Sequence, residues 1–379
     1  MRGLFPVLRF DAAEKALVER NFARITFCFD SGLGVPSGPA AVRLAPLERE
    51  VKEHSEVRRQ EVIEYSSGRS LLLLALFFPG RCDADCPACY TNRRLRNGTL
   101  TLEERLAVIE QGARLGAKVM YVPGEGEPTL DRFLRSTIDF AFAFGMSSVL
   151  FTNGLLLSDS RSWRSVHGQA PEEFLEWAFE RGVHLYFKYW HTRSEEFSQM
   201  MGIPVERLIT ERIRLCSGLR ADVPLGILRA REIASERVGI QIVAWDGFEP
   251  EFRRITALAR ELELYSYVER PLNAGRCGGT ATALTGTYAR YVQEYLSQQQ
   301  CERFLYSAVV LADGRITVCP AFSPLDRRGC GTASVRMPDG RIDLLSALHS
   351  DSELSRTRFS GLNAACLCKA VQRRSNRSP

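Results

Sequence analysis

The chain is 379 residues long and 45% hydrophobic, with 50 basic and 45 acidic side chains and a formal charge of +5. That is enough apolar sequence for one large domain plus a smaller one, and too mild a charge excess to indicate a nucleic-acid partner. The longest apolar run, residues 71–78, has eight residues against the ~20 a membrane helix needs, and Asp11, Glu14 and Glu19 interrupt any signal-peptide pattern.

Residues 1–69 read as an N-terminal cap or extension. A helical stretch at 17–24 leads into a strand-like run at 25–30 that contains Cys28, a packing residue. A Gly/Pro loop at 32–39 follows, then a charged helix at 47–59 with Pro46 at its start. Residues 71–78 form a continuous apolar run closed by Pro79-Gly80, the pattern of a strand buried on both faces. Directly after it comes Cys82-Asp83-Ala84-Asp85-Cys86-Pro87-Ala88-Cys89, a C-x3-C-x2-C triplet. Three thiolates on one short loop hold three irons of a cubane iron–sulfur cluster and leave the fourth open to a small molecule. Structural zinc takes four protein ligands, and residues 81–95 contain no histidine, so zinc fits this loop poorly. Eleven cysteines without an export signal point to metal ligation in a reducing cytoplasm rather than to disulfides.

Helical spacing at 102–115 is followed by a short strand at 118–122 and the run Gly124-Glu125-Gly126-Glu127-Pro128. Gly124 and Gly126 let the backbone approach a ligand closely, and Pro128 biases Glu127 to an extended conformation in which its carboxylate accepts from an ammonium group. A helix at 131–144, a strand at 148–152 ending in Thr152-Asn153-Gly154, a helix at 171–181 and a strand at 184–188 come next. Lys188 sits inside the aromatic run Tyr186-Phe187-Lys188-Tyr189-Trp190 and needs an anionic partner there. His191 is a candidate substrate contact or a structural histidine. A long helix is expected over 204–217, with Cys216 in the core. Strands at 238–244 and 265–269 flank a helix at 251–263. Six strands with intervening helices make βα units on a parallel sheet, with crossovers of one hand. The cysteine loop, the Gly124–Pro128 run, Thr152–Gly154 and Lys188 all fall at C-terminal strand ends, where barrel active sites collect.

Beyond the last of these strands lie Arg276 and Cys277. An Asp313-Gly314 hairpin signal then joins the apolar runs 308–312 and 316–318. Cys301, Cys319, Cys366 and Cys368, with Cys330 as a substitute for one of them, are enough for a second four-coordinate metal centre, zinc being the alternative to iron–sulfur.

The triplet, the Gly124–Pro128 run, Thr152–Gly154 and Gly239-Ile240-Gln241-Ile242, in that order over about residues 70–275, resemble the motifs of the radical SAM superfamily. The resemblance implies an α/β fold. Residues 70–280 would form a partial (β/α)6 TIM-like barrel, with a small C-terminal auxiliary-cluster domain of β-hairpin plus helix at 281–379 and an N-terminal α/β cap. It implies a [4Fe-4S] cluster on Cys82, Cys86 and Cys89 whose open iron binds S-adenosylmethionine (SAM). Gly124, Glu125, Gly126, Glu127 and Pro128 would contact the methionine amino group. Thr152, Asn153 and Gly154 end the third strand. Lys188 and Arg276 are candidates for the SAM carboxylate or ribose, and Tyr90 supplies the aromatic face that many members carry at the position of Ala88. The C-terminal cysteines are similar to the shortened Twitch form of a SPASM domain, with a C-x-C at Cys366 and Cys368 where C-x2-C is common; an auxiliary [4Fe-4S] cluster is the expectation. One electron from a flavodoxin- or ferredoxin-type reductant would cleave SAM to a 5′-deoxyadenosyl radical that takes a hydrogen atom from substrate. Oxidation, epimerisation with Cys277 as hydrogen donor, or cross-linking would follow. A small polar metabolite of specialised metabolism is the expected substrate, a ribosomally made peptide the alternative. A non-catalytic iron–sulfur electron carrier is the reading from another class.

Overall fold

The computed structural model describes residues 71–350 other than 72, 79, 88, 90–97, 118, 217, 244–248, 270–306 and 318–332. The expectations for residues 1–70, Tyr90, Arg276, Cys277, Cys301, Cys319, Cys330, Cys366 and Cys368 lie outside the described residues.

The first apolar run forms β1 (Leu73–Leu76), buried along its whole length. Helix α1 (Leu102–Arg114) carries the chain back to β2 (Val119–Val122). It opens on a capping box, in which Thr101 Oγ1 accepts from Glu104 N and Thr101 N donates to Glu104 Oε2, so two orphan donors are satisfied at once. Helix α2 (Leu134–Ala143) leads to β3 (Ser147–Thr152). Three helices then pack in succession: α3 (Leu155–Ser158), α4 (Ser160–His167) and α5 (Pro171–Glu180). Strand β4 (His184–Lys188) is followed by α6 (Ser194–Met201).

The segment expected as a helix at 204–217 is mostly strand. A 3-10 turn at Val205–Arg207 precedes β5 (Thr210–Arg214), which pairs antiparallel with β6 (Arg220–Pro224) as a separate two-stranded sheet. The alternation of Ala221 and Val223 with their neighbours has period two, and Arg212 lies directly opposite Asp222 in the register. Opposite charges at a facing pair stabilise the hairpin form over the helix. Cys216 is consequently exposed at the hairpin turn and not in the core.

Helix α7 (Leu225–Ala234), β7 (Val238–Val243), α8 (Glu249–Glu261) and β8 (Tyr265–Glu269) complete the repeating part. The hairpin signal at Asp313-Gly314 joins β9 (Ser307–Val310) to the antiparallel β10 (Ile316–Thr317), and α9 (Leu344–Ser350) closes the described chain. The main sheet runs β10-β9-β1-β2-β3-β4-β7-β8, with β1, β2, β3, β4, β7 and β8 all parallel. Because these six follow chain order, crossovers of one hand leave the helices on one face. Met120, Val122, Leu150, Leu185, Phe187, Ile240 and Ile242 pack on that face. The opposite face carries Tyr121, Phe151 and Tyr186 in a row, with ring centroids 5.1 Å apart at each step. Strand β9 adds parallel to β1, in register Leu73↔Ser307, and so extends the sheet beyond the first strand. Among the described residues no helix is long and apolar enough to cross a membrane.

Candidate functional site

The cysteine loop leaves β1 at the C-terminal edge of the sheet and is pinned at both flanks. Arg81 O accepts from Glu127 N at 2.7 Å, and Asp85 N donates to Met201 O at 2.8 Å. Glycines make these approaches: a Cβ on Gly126 would land inside the Arg81 carbonyl, and one on Gly202, whose φ is +62°, inside the Asp85 carbonyl. Within the loop, Cys89 N donates to Cys86 O at 3.2 Å. Cys86 is buried with its sulfur 3.9 Å from Met201 Sδ, while Cys82 and Cys89 are half-buried. Burial pushes the Cys82 thiol up to about 11, against the opposing pull of Lys188.

Lys188 ends β4 on the same face as Tyr186. Burial alone would lower its pKa, but the combined pull of Cys86, Cys89, Cys82 and Glu127 outweighs burial and raises it. The charge of Lys188 is thus coupled to all three cysteines and to Glu127.

Glu127 is 3% exposed, and its donors come from the chain. Oε1 accepts from Thr129 N at 3.1 Å, Thr129 Oγ1 at 2.7 Å and Thr152 Oγ1 at 2.7 Å, while Oε2 accepts from Asn153 N at 2.6 Å. Three donors converge on Oε1 and one on Oε2, so the chain itself fixes this carboxylate. Burial first, then Asp83, raises its pKa, against the hydrogen bonds from Asn153 and Thr152. Glu127 thus ties Gly124–Pro128 to Thr152–Gly154. Glu125, beside it, is half-buried. Burial and then Asp313 push its carboxyl up to about 7, with Arg315 opposing. Asp313 and Arg315 lie in the β9–β10 turn, so that turn reaches the same rim.

Thr152 Oγ1 accepts from Gly154 N at 3.0 Å, which shapes the turn after β3. Asn153 Nδ2 donates to Asp83 Oδ1 at 2.7 Å and lies 3.8 Å from Cys82 Sγ. Arg207 Nη1 donates to Asp83 O at 2.7 Å. Behind the motif, His167 Nε2 stands 2.7 Å from Thr129 O, so its N–H faces that carbonyl. Asp83, Met201, Arg207 and His167 escape a reading by sequence, since each acts through a partner distant in the chain. Asp83, inside the triplet, is the one whose position gave a signal. His191 is structural: Nδ1 accepts from Arg193 N at 3.1 Å, and Nε2 lies 3.6 Å from Glu251 Oε2.

Among the described residues no three His, Cys, Asp or Glu side chains converge on a single metal ion. A cubane holds its ligand sulfurs further apart, one on each of three irons. Three thiols on one loop, facing a lysine and flanked by an amide donor, fit such a cluster better than a lone ion.

No family model matches this chain. Over 101 residues it is 33% identical to the GTP 3′,8-cyclase of Synechococcus sp. (strain CC9605), a match spanning 24% of this chain and 29% of that relative. In structure it is similar to Streptococcus suis SuiB bound to precursor peptide SuiA, with TM-score 0.54 and 14% identity, covering 94% of this chain and 84% of that one. SuiB bound to S-adenosylmethionine gives TM-score 0.53 at 13% identity, covering 96% of this chain and 90% of that one. The fold is the one those SuiB structures share. At the C-terminal strand ends, where the active sites of α/β barrels collect, this chain gathers Cys82, Cys86, Cys89, Glu125, Glu127, Asn153 and Lys188.

Proposed function

We propose that this chain is a radical SAM enzyme. Cys82, Cys86 and Cys89 would hold a [4Fe-4S] cluster, and SAM would bind beside Gly124–Pro128, Thr152–Gly154 and Lys188. The carrying observation is that three thiols meet Lys188 and the Glu127–Asn153 network at one sheet edge. When bound, the cluster and SAM supply an electron and a 5′-deoxyadenosyl radical that takes a hydrogen atom from an unactivated C–H. The chain's own part is placement and exclusion. Lys188 offsets the thiolate charge, Glu127 fixes two motifs against each other, and the Tyr121, Phe151 and Tyr186 rings form an apolar floor that keeps water from the reacting atoms. Glu125, with a pKa of about 7, holds or yields a proton at the rim near neutrality.

For the substrate we propose a small polar metabolite, oxidised, or epimerised with Cys277 as hydrogen donor. The C-terminal cysteines Cys301, Cys319, Cys366 and Cys368, with Cys330 in reserve, would hold an auxiliary cluster, and a flavodoxin- or ferredoxin-type protein would reduce the first. One observation favours a second reading, modification of a ribosomally made peptide. The likeness to the peptide-bound SuiB structure runs over 94% of this chain.

The deciding experiment is an anaerobic iron and sulfide count on reconstituted protein, with SAM cleavage under dithionite on the same samples. The wild type should hold about eight irons and form 5′-deoxyadenosine, and Cys82→Ala/Cys86→Ala/Cys89→Ala should hold about four and form none. A fully loaded wild type that forms no 5′-deoxyadenosine, with or without metabolite and peptide pools, would overturn the enzyme reading in favour of an electron carrier. A mass change in a co-expressed precursor peptide would select the second reading over the first.

A further inference from the structure

Asn153 stands between the cysteine loop and the end of β3, and its neighbours settle its orientation. Oδ1 accepts from Leu155 N at 2.9 Å, and Nδ2 donates to Asp83 Oδ1 at 2.7 Å. A flipped amide would set its oxygen against a carboxylate and its NH2 against an N–H, so both contacts enforce one assignment. The backbone is held as well, since Asn153 N donates to Glu127 Oε2 at 2.6 Å. With one Nδ2 hydrogen on Asp83, the second has Cys82 Sγ as its neighbour at 3.8 Å. Asn153 is 3% exposed, so water competes little for that hydrogen.

We propose that Asn153 is a redox-tuning residue, whose side-chain N–H donates to the Cys82 sulfur and raises the reduction potential of the cluster bound there. The inference rests on the radical SAM reading only in requiring a cluster on Cys82. Its basis is electrostatic. One added electron places more negative charge on the ligand sulfurs, so a donor aimed at a sulfur stabilises the reduced cluster more than the oxidised one. Asp83 gives the donor its direction by holding the other hydrogen. Arg207 holds Asp83 in turn, through the carbonyl at 2.7 Å and the carboxylate at 3.9 Å. Asn153 is thus a positioning residue that acts through Cys82.

The test is a SAM-free, anaerobic redox titration of the reconstituted full chain, followed by the EPR signal of the reduced cluster. The signal that survives in Cys82→Ala/Cys86→Ala/Cys89→Ala is subtracted. Asn153→Ser keeps an oxygen for Leu155 N and loses the amide donor, and Asn153→Leu keeps bulk alone. At a fixed ambient potential the ratio of reduced to oxidised cluster should fall about three- to tenfold in both, a downward midpoint shift of up to ~59 mV for one electron. An unshifted midpoint in a variant with the wild-type iron content overturns the proposal and leaves the radical SAM reading standing. A second measurement needs no variant to fold. In wild type labelled with 15N-asparagine, pulsed EPR should detect a side-chain nitrogen coupled to the reduced cluster, and its absence overturns the proposal. A wild type that takes up no iron overturns both readings.

Discussion

Four donors on two oxygens make Glu127 the most heavily engaged carboxylate at the rim. In Glu127→Gln an amide NH2 must face at least one of those donors in a buried site. A buried donor left unpaired costs about 1–3 kcal/mol, so urea unfolding should show the variant about 2 kcal/mol or more less stable. Glu125 differs, because its strain depends on pH. Its carboxyl holds a proton up to about 7 when folded and, unfolded, only up to the ordinary 4.5. The folded state therefore binds more protons, and its contribution to stability is present below 4.5 and lost as pH rises through about 7. Glu125→Gln removes this dependence: its melting temperature should match wild type at pH 5 and exceed it by roughly 2 °C or more at pH 8. That the three cysteines and the Gly124–Pro128 run lie at neighbouring strand ends was legible, because each directly follows an apolar run. The use of Glu127 was not, since its Asn153 and Thr152 donors lie on another strand and only folding brings them near.

At the scale of elements, two glycines decide how the cysteine loop seats. Gly126→Ala would drive a methyl group into the Arg81 carbonyl, so the loop must lift from β2. Reconstituted Gly126→Ala should hold fewer irons per chain than wild type while its far-UV circular dichroism stays the same; unchanged iron uptake would show that the loop adapts. Strands such as Leu73–Leu76 and Val119–Val122 were legible as apolar runs, because they are buried on both faces. The β5–β6 hairpin was not. Over residues 204–217 charged and apolar side chains mix without a clean period, and Asp222, the cross-strand partner of Arg212, lies outside that window.

For the whole molecule, the residues around β10 and α9 are clasped to the first helix. Arg336 spans both carboxylate oxygens of Glu104 at 2.7 and 2.6 Å. Gln111 Nε2 donates to Ile342 O at 2.7 Å, and its Oε1 accepts from Leu344 N at 2.7 Å. Breaking both ties in Arg336→Ala/Gln111→Ala should speed protease cleavage within residues 333–350 several-fold and leave the core pattern intact; an unchanged digest would mean that apolar packing alone holds the segment. The pairing of β9 with β1 also bears on how the protein is made. Strand β1 is made before β9, and among the described residues its outer edge is paired by Ser307–Val310. Without β9 that edge of the described sheet would offer unpaired N–H and C=O groups along an apolar strand, a template for other chains. Among the described strands β9 therefore masks the edge of β1, and a nascent chain stalled after β8 would be one that sticks to its neighbours.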